Sequence, residues 1–266
     1  MIYFVESFPG GGKSYYSRKH FRKAEKKTIY FKEEYHNPLD LLRQAVLSKE
    51  EYENFLLEIQ DLCNNEAEYI DIKERISKEI TVLEDKVFIA FLHIESSNVN
   101  VREKILNLYN YEYDDGFVPC REYCDTIMMR LKQFLESKDP DVDYIFEGAL
   151  FYNPLVTILG FFDMGKDEIV AYYRKLFYLL RSYEYEIDII RVDDIDKAIR
   201  ITAQNRLMAG NSTWEIGFER WFDQTKNYSK LRGIEGIISF ARDIEEYENM
   251  LLKEIPFNKK IIERRL

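Results

Sequence analysis

Residues 7–14 read Ser7-Phe8-Pro9-Gly10-Gly11-Gly12-Lys13-Ser14, and these residue types in this order suit one task, the holding of phosphate groups. Three consecutive glycines let backbone N–H groups approach an anion closely and reach dihedrals closed to other residues. Lys13 can set a cation against terminal phosphates, and the Ser14 hydroxyl can join the shell of a bound Mg²⁺. The candidate nucleotide-binding set is therefore Pro9, Gly10, Gly11, Gly12, Lys13, Ser14 and Tyr15. Ser7 stands where a glycine usually opens such a loop. Serine tolerates positive φ poorly, so a different entry into the loop is expected. The competing reading is a plain glycine-rich turn in front of a basic helix.

Ligands of open α/β sheets collect at the carboxyl ends of the strands, so polar residues directly after an apolar run are the next candidates. The run Thr28-Ile29-Tyr30-Phe31 ends in Lys32-Glu33-Glu34, and Tyr144-Ile145-Phe146 ends in Glu147-Gly148. Glu147 can hold Mg²⁺ or shape the surroundings of a γ-phosphate, or else serve as a capping carboxylate. Glu33 or Glu34 can take a proton from an attacking hydroxyl, or the pair can form a solvated turn. Arg200 and Arg206 follow the run at residues 187–192 on a helix opened by Asp193-Asp194-Ile195-Asp196. They lie about 1.7 turns apart. Both can close over phosphates if the helix ends or bends near Gln204, and are exposed helix charges otherwise.

The elements that must position these residues follow from hydrophobic patterning. Short β-rich runs at residues 2–5, 28–31, 87–93, 143–146, 187–192 and 260–263 alternate with long helical patterns. Such alternation predicts a mainly parallel sheet of about five strands covered by helices, because parallel neighbours need crossover connections. Residues 38–85 read as a charged helical insertion, and residues 200–253 as a helical lid and C-terminal region. No linker divides the 266 residues, so one domain is expected.

Composition narrows the function classes. Apolar residues make up 46% of the chain, which supports a packed core. The formal net charge of −10 repels a nucleic-acid backbone, so no nucleic-acid partner is expected. Three cysteines, Cys63, Cys120 and Cys124, do not form a disulfide framework, and charges interrupt every candidate membrane span. A soluble, cytoplasmic protein with no membrane partner is the expectation. Cys120 and Cys124 lack the further ligands that a zinc site needs. His20, His36 and His93 are isolated, with His36 the one nearest the Glu33 turn. Tyr109, Tyr111 and Tyr113 suit either packing or an acceptor pocket.

Three segments carry a resemblance: residues 9–14, residues 146–155 (Phe146-Glu147-Gly148-Ala149-Leu150-Phe151 through Asn153-Pro154-Leu155), and Gly233-Ile234-Glu235-Gly236. Together the chain resembles the nucleoside and nucleotide kinase branch of P-loop proteins, including thymidylate and deoxynucleoside kinases, and more narrowly a bacterial P-loop kinase-like family. That resemblance implies ATP with Mg²⁺, a five-stranded parallel core and a mobile arginine lid. It assigns phosphate and metal roles to Lys13 and Ser14, the acid after the third core strand to Glu147, and a base after the second to Glu33 or Glu34. Gly148 stands where those kinases carry an arginine. The expected activity is transfer of a phosphoryl group from ATP to a hydroxyl or phosphate of a small metabolite, with a homodimer compatible. A nucleotide-dependent ATPase or GTPase switch with a protein partner is the alternative, and a binder without turnover a third. ATP is the default because no guanine-reading Asn-Lys-x-Asp pattern is present.

Overall fold

The computed structural model describes residues 1–266 except Glu34, Asp114, Asp115, Ser212 and Leu266. Its first strand, β1 (Ile2–Glu6), lies at the middle of a five-stranded sheet whose neighbours are all parallel. The other strands are β2 (Thr28–Phe31), β6 (Asp143–Glu147), β7 (Tyr185–Val192) and β8 (Lys259–Arg264), in the order β2-β6-β1-β7-β8. Their carboxyl ends gather around the end of β1: Val5 pairs with Glu147, and Glu6 with Ile189. The mixed α/β architecture with a parallel five-stranded sheet agrees with the sequence expectation.

Strand alternation divides the side chains between two faces. On one face Phe4 stacks on Phe146 at 5.4 Å, and Phe31 on Phe146 at 4.8 Å, beneath Phe134 of α5 (Cys120–Ser137). The same core takes in α6 (Tyr152–Phe161), α7 (Lys166–Leu180), α8 (Ile195–Met208), α9 (Trp214–Gln224) and α10 (Gly233–Glu254). Each fully buried aromatic there contributes on the order of 2 kcal/mol of burial. On the other face Val5, Ile145 and Ile190 meet Tyr16 of α1 (Lys13–Lys23). That helix buries only Lys13 and Ser17 along its length, so it is held at its first turns more than by an apolar stripe.

Residues 38–85 hold the expected helices, α2 (Lys49–Leu62) and α3 (Glu66–Lys78), but they are not purely helical. Two strands flank the helices, β3 (Gln44–Ser48) and β4 (Ile80–Leu83). The run at residues 87–93, expected in the parallel sheet, instead forms β5 (Lys86–Ala90), centre of an antiparallel sheet ordered β3-β5-β4. The reason is a strand buried on both sides: Val87 and Ile89 enter the core of the insertion, while Phe88 enters the main core. The unit extends through α4 (Val99–Leu106). The helical region read over residues 200–253 holds the end of α8 and the helices α9 and α10, and Gly233-Ile234-Glu235-Gly236 begins the last. Among the described residues no helix is long and apolar enough to cross a membrane.

Candidate functional site

The chain leaves β1 at Glu6 and enters the loop through Ser7, which is buried and donates its hydroxyl to the carbonyl of Ile190 in β7 at 3.0 Å. Ser7 does not have positive φ; the described non-glycine residues that do are Arg43 and Glu84. The entry through Ser7 therefore makes no demand for positive φ. Gly11 explains how it fits, because a Cβ there would stand 1.7 Å from the Ser7 hydroxyl oxygen. Positive φ falls on Gly10 (+93°) and Gly12 (+107°), where glycine is the residue that accepts it. Gly12 then caps α1 with no side-chain bond, and no acid lies in the first turn. The positive end of the helix dipole is left to the loop.

Six side chains from three strand ends meet at this turn. The Lys13 ammonium, only 6% exposed, lies 3.1 Å from Glu33 Oε1, 3.4 Å from the Ser7 carbonyl and 5.2 Å from the centre of the Tyr152 ring. Ser14 donates its hydroxyl to Glu147 Oε1, and the Tyr30 hydroxyl donates to Glu147 Oε2 at 2.5 Å. Burial first, and then the Glu147 hydrogen bond and charge, push the Tyr30 phenol well above its ordinary range. The loop's cation and its hydroxyl are thus each held by a carboxylate.

Two further acids support this cluster. Glu6 accepts the backbone N–H groups of Leu150 at 3.0 Å and Tyr152 at 2.9 Å, fixing the turn after β6. Burial raises its pKa to about 7 against the opposing pull of those N–H groups and of Lys13. Asp40 accepts from Asn153 Nδ2 at 2.7 Å and from the Leu42 N–H at 3.0 Å. Burial, with the charge of Glu33 adding to it, also brings Asp40 to about 7. Gly148 has φ +71°, and a Cβ on it would stand 3.2 Å from the Asn153 carboxamide and 3.3 Å from Glu33 Oε1. Glu33, Asn153 and Asp40 therefore form one continuous wall beside Lys13.

Comparison of the chain with protein-family models, with curated proteins and with solved structures finds no match in any of the three.

The residues singled out in the sequence distribute unevenly. Pro9, Gly10, Gly11, Gly12, Lys13, Ser14, Glu33 and Glu147 come together, whereas Tyr15 is 67% exposed and sets its ring edge-on against Tyr16. Glu34 lies outside the described residues. Arg200 is ion-paired with Glu235 of α10 at 2.5 Å and is not at the loop. Helix geometry explains the difference: Thr202 packs on Gly10, and Arg200, two positions earlier, points to the far side of α8. Arg206, one turn past Thr202, shares its face and is exposed.

His36 bonds Thr81 at 3.0 Å through its ring, in the insertion. Tyr113 is buried in packing, with Tyr109 and Tyr111 exposed. Among the described residues no group of three or more His, Cys, Asp or Glu is disposed to hold a metal. A cavity of about 530 Å³ lies in the insertion, lined by Ile72, Arg75, Phe91 and Arg102 among others. It contains no residue of the loop at 7–14.

Sequence reading missed Glu6, Tyr30, Asp40, Asn153, Thr202 and Arg264. Glu6 could have been found by the same strand-end rule that found Glu147, since it is the last residue of an apolar run. Arg264 donates through Nη1 to the carbonyls of Gly10 and Gly11, each at 3.2 Å; nothing local in its sequence announces that contact.

Proposed function

We propose that the chain binds ATP with Mg²⁺ at residues 7–14, in the manner of P-loop kinases of the nucleoside and nucleotide kinase branch, and transfers the γ-phosphoryl group to a hydroxyl or phosphate of a small metabolite. The observation that carries this reading is the Ser14–Glu147 contact across adjacent strand ends, with Lys13 one residue away and paired to Glu33. A glycine-rich turn with no ligand has no need of a buried lysine, a hydroxyl and two carboxylates from separate strands in one place.

In this scheme Lys13 and the loop N–H groups hold the terminal phosphates. The oxygens of Ser14 and Glu147 suit a hard cation and would hold Mg²⁺, which when bound neutralises charge on the phosphates. Glu33, beside Lys13, stands next to the terminal phosphate and accepts the proton of an acceptor hydroxyl as its oxygen forms the new P–O bond and the bond to the leaving ADP breaks. Arg206, on the loop-facing side of α8, is the arginine available to come over the phosphates; Arg200 has its charge engaged elsewhere.

One observation favours the switch reading as a second choice. Asp40, in the chain leading to the insertion, bonds Asn153 beside Gly148, so occupancy of the site can be felt by the insertion and by a protein partner docked on it. Slow hydrolysis indifferent to every acceptor would favour that reading.

The test is purified protein titrated with MgATP and then assayed for ADP release against nucleosides, nucleotides and aminoglycosides. Acceptor-dependent ADP release is expected from one class. Glu33→Gln should lower kcat about a hundredfold or more with the KM for ATP little changed. Wild-type protein that fails to bind MgATP at millimolar concentration sinks the proposal.

A further inference from the structure

We infer that Arg264 is a positioning residue of the phosphate loop, so that the last strand of the chain is part of the nucleotide site; this rests on the phosphate-binding reading of residues 7–14. The backbone of Arg264 is fixed at the sheet edge, where it pairs with Val192 of β7 and its carbonyl accepts the Asp193 N–H at 3.2 Å. From there its side chain reaches past the end of β7 to the end of β1. The Nη1 atom donates to both Gly10 O and Gly11 O at 3.2 Å. It also lies 3.1 Å from where a Gly12 Cβ would stand, so the guanidinium rests against all three loop glycines or their carbonyls.

The consequence follows from peptide planarity. In a trans peptide the carbonyl and the following N–H point in opposite directions. Holding Gly11 O against the guanidinium therefore turns the Gly12 N–H away from Arg264, and holding Gly10 O does the same for the Gly11 N–H. The second of these is tied down at its other end as well, since the Gly11 N–H donates to Phe8 O at 3.0 Å. Both planes adopt the positive-φ path of Gly10 and Gly12, which an unaided chain has little reason to prefer over others. A guanidinium suits the task because its several N–H donors keep their geometry while the charge stays in place. That charge, one peptide unit from the anion site, also favours phosphate. Arg264 acts through the loop and not on the reacting atoms.

The experiment uses the full-length chain and three variants, Arg264→Ala, Arg264→Lys and, as comparator, Arg265→Ala, with MgATP affinity measured by calorimetry and stability by thermal melting. Loss of a charge-assisted pair of bonds should weaken MgATP binding about ten- to a hundredfold in Arg264→Ala, with Arg265→Ala within about twofold of wild type. Arg264→Lys should recover part of the loss because an ammonium still donates to a carbonyl. Free guanidinium ion at concentrations too low to unfold the protein should restore binding to Arg264→Ala and leave wild type unmoved, a response that a merely destabilised variant does not give. If wild type binds MgATP and Arg264→Ala binds equally well, or its loss is not answered by guanidinium or by lysine, the assignment is overturned. If wild type itself does not bind, it is the reading of residues 7–14 that fails, and the two failures are told apart by that first titration.

Discussion

Glu6 closes β1 with its carboxylate turned onto the N–H groups of Leu150 and Tyr152, and Asp40 does a similar service for Asn153 and Leu42. Both are buried, and in both the cost of burying a charge exceeds what the hydrogen bonds return, so each pKa rises to about 7 from ordinary values of 4.5 and 3.8. The direction of the linkage follows. A carboxyl whose pKa is higher in the fold than in the unfolded chain binds its proton more tightly when folded. Its stabilisation is complete below the unfolded pKa and is lost as pH rises through the folded value, here across the window from about 4 to about 7. The ceiling is on the order of 3 kcal/mol for Glu6 and about 4 kcal/mol for Asp40, since each pKa unit is worth 1.36 kcal/mol. Urea unfolding of wild type should therefore show a lower midpoint at pH 8 than at pH 5. Glu6→Gln, which cannot ionise, should show a visibly shallower fall over that interval whatever its absolute stability; equal falls in the two proteins would remove Glu6 from this account. The same two acids also border Lys13 and Glu33 through Asn153 and the β6–α6 turn, which ties the pH response of the fold to the geometry of the site.

At the level of elements, α8 meets the loop at Thr202, and it is this kind of contact that the sequence conceals. A Cβ on Gly10 would stand 2.2 Å from the Thr202 hydroxyl oxygen, and Gly10 has φ +93°. Gly10→Ala should thus suffer both a clash and an unfavourable backbone, lowering stability by about 1–2 kcal/mol and weakening MgATP binding. Gly10→Ala combined with Thr202→Ala should recover the part owed to the clash and keep the part owed to φ, which a double-mutant cycle in urea separates. An alanine at position 10 that leaves both melting and MgATP affinity unchanged would show that α8 does not set the loop. The strands of the parallel sheet were legible because most are apolar runs closed by polar or glycine residues; Lys13 and Ser14 were legible from the order of residues in the glycine loop, and Glu33 and Glu147 because each stands at the end of such a run. Thr202 and Arg264 were not, since their place at the loop depends on sheet order, β8 beside β7 beside β1, which no local pattern encodes. The run at residues 87–93 misled for a different reason. A strand that feeds Val87 and Ile89 to one core and Phe88 to another shows the same continuous apolar pattern as a strand buried in a parallel sheet.

Across the whole molecule, a buried cation is among the groups that join the insertion to the parallel sheet. Arg130 of α5, 1% exposed, donates to Pro38 O at 2.9 Å, to Asn37 O at 2.6 Å and to Gln44 Oε1 at 2.9 Å, with its guanidinium 4.9 Å from the centre of the Phe88 ring. Burial draws its pKa down to about 10, which still leaves it charged at neutral pH. These acceptors lie where the chain departs for β3, and Phe88 lies on β5, so the arginine binds the insertion's entry and its central strand to the same helix. Removing it strands the Pro38 carbonyl and the Gln44 Oε1 atom in the interior and leaves the Asn37 carbonyl with the bond from Gln44 Nε2 at 3.2 Å. Arg130→Met should accordingly cost about 3–5 kcal/mol of stability, far more than loss of the exposed Asp71–Arg75 pair, for which at most about 1 kcal/mol is expected. Arg130→Lys should recover little, because one ammonium cannot reproduce three bonds in a fixed fork. The turn that Arg130 holds also sets Asp40 against Asn153. If the variant is studied in conditions where it remains folded, acceptor-dependent turnover should fall by more than MgATP affinity does, since the loop at the end of β1 keeps its own supports in Ser7 and Arg264. Urea unfolding paired with MgATP calorimetry reads both effects, and a stability within about 1 kcal/mol of wild type would mean that Arg130 does not hold the insertion to the parallel sheet.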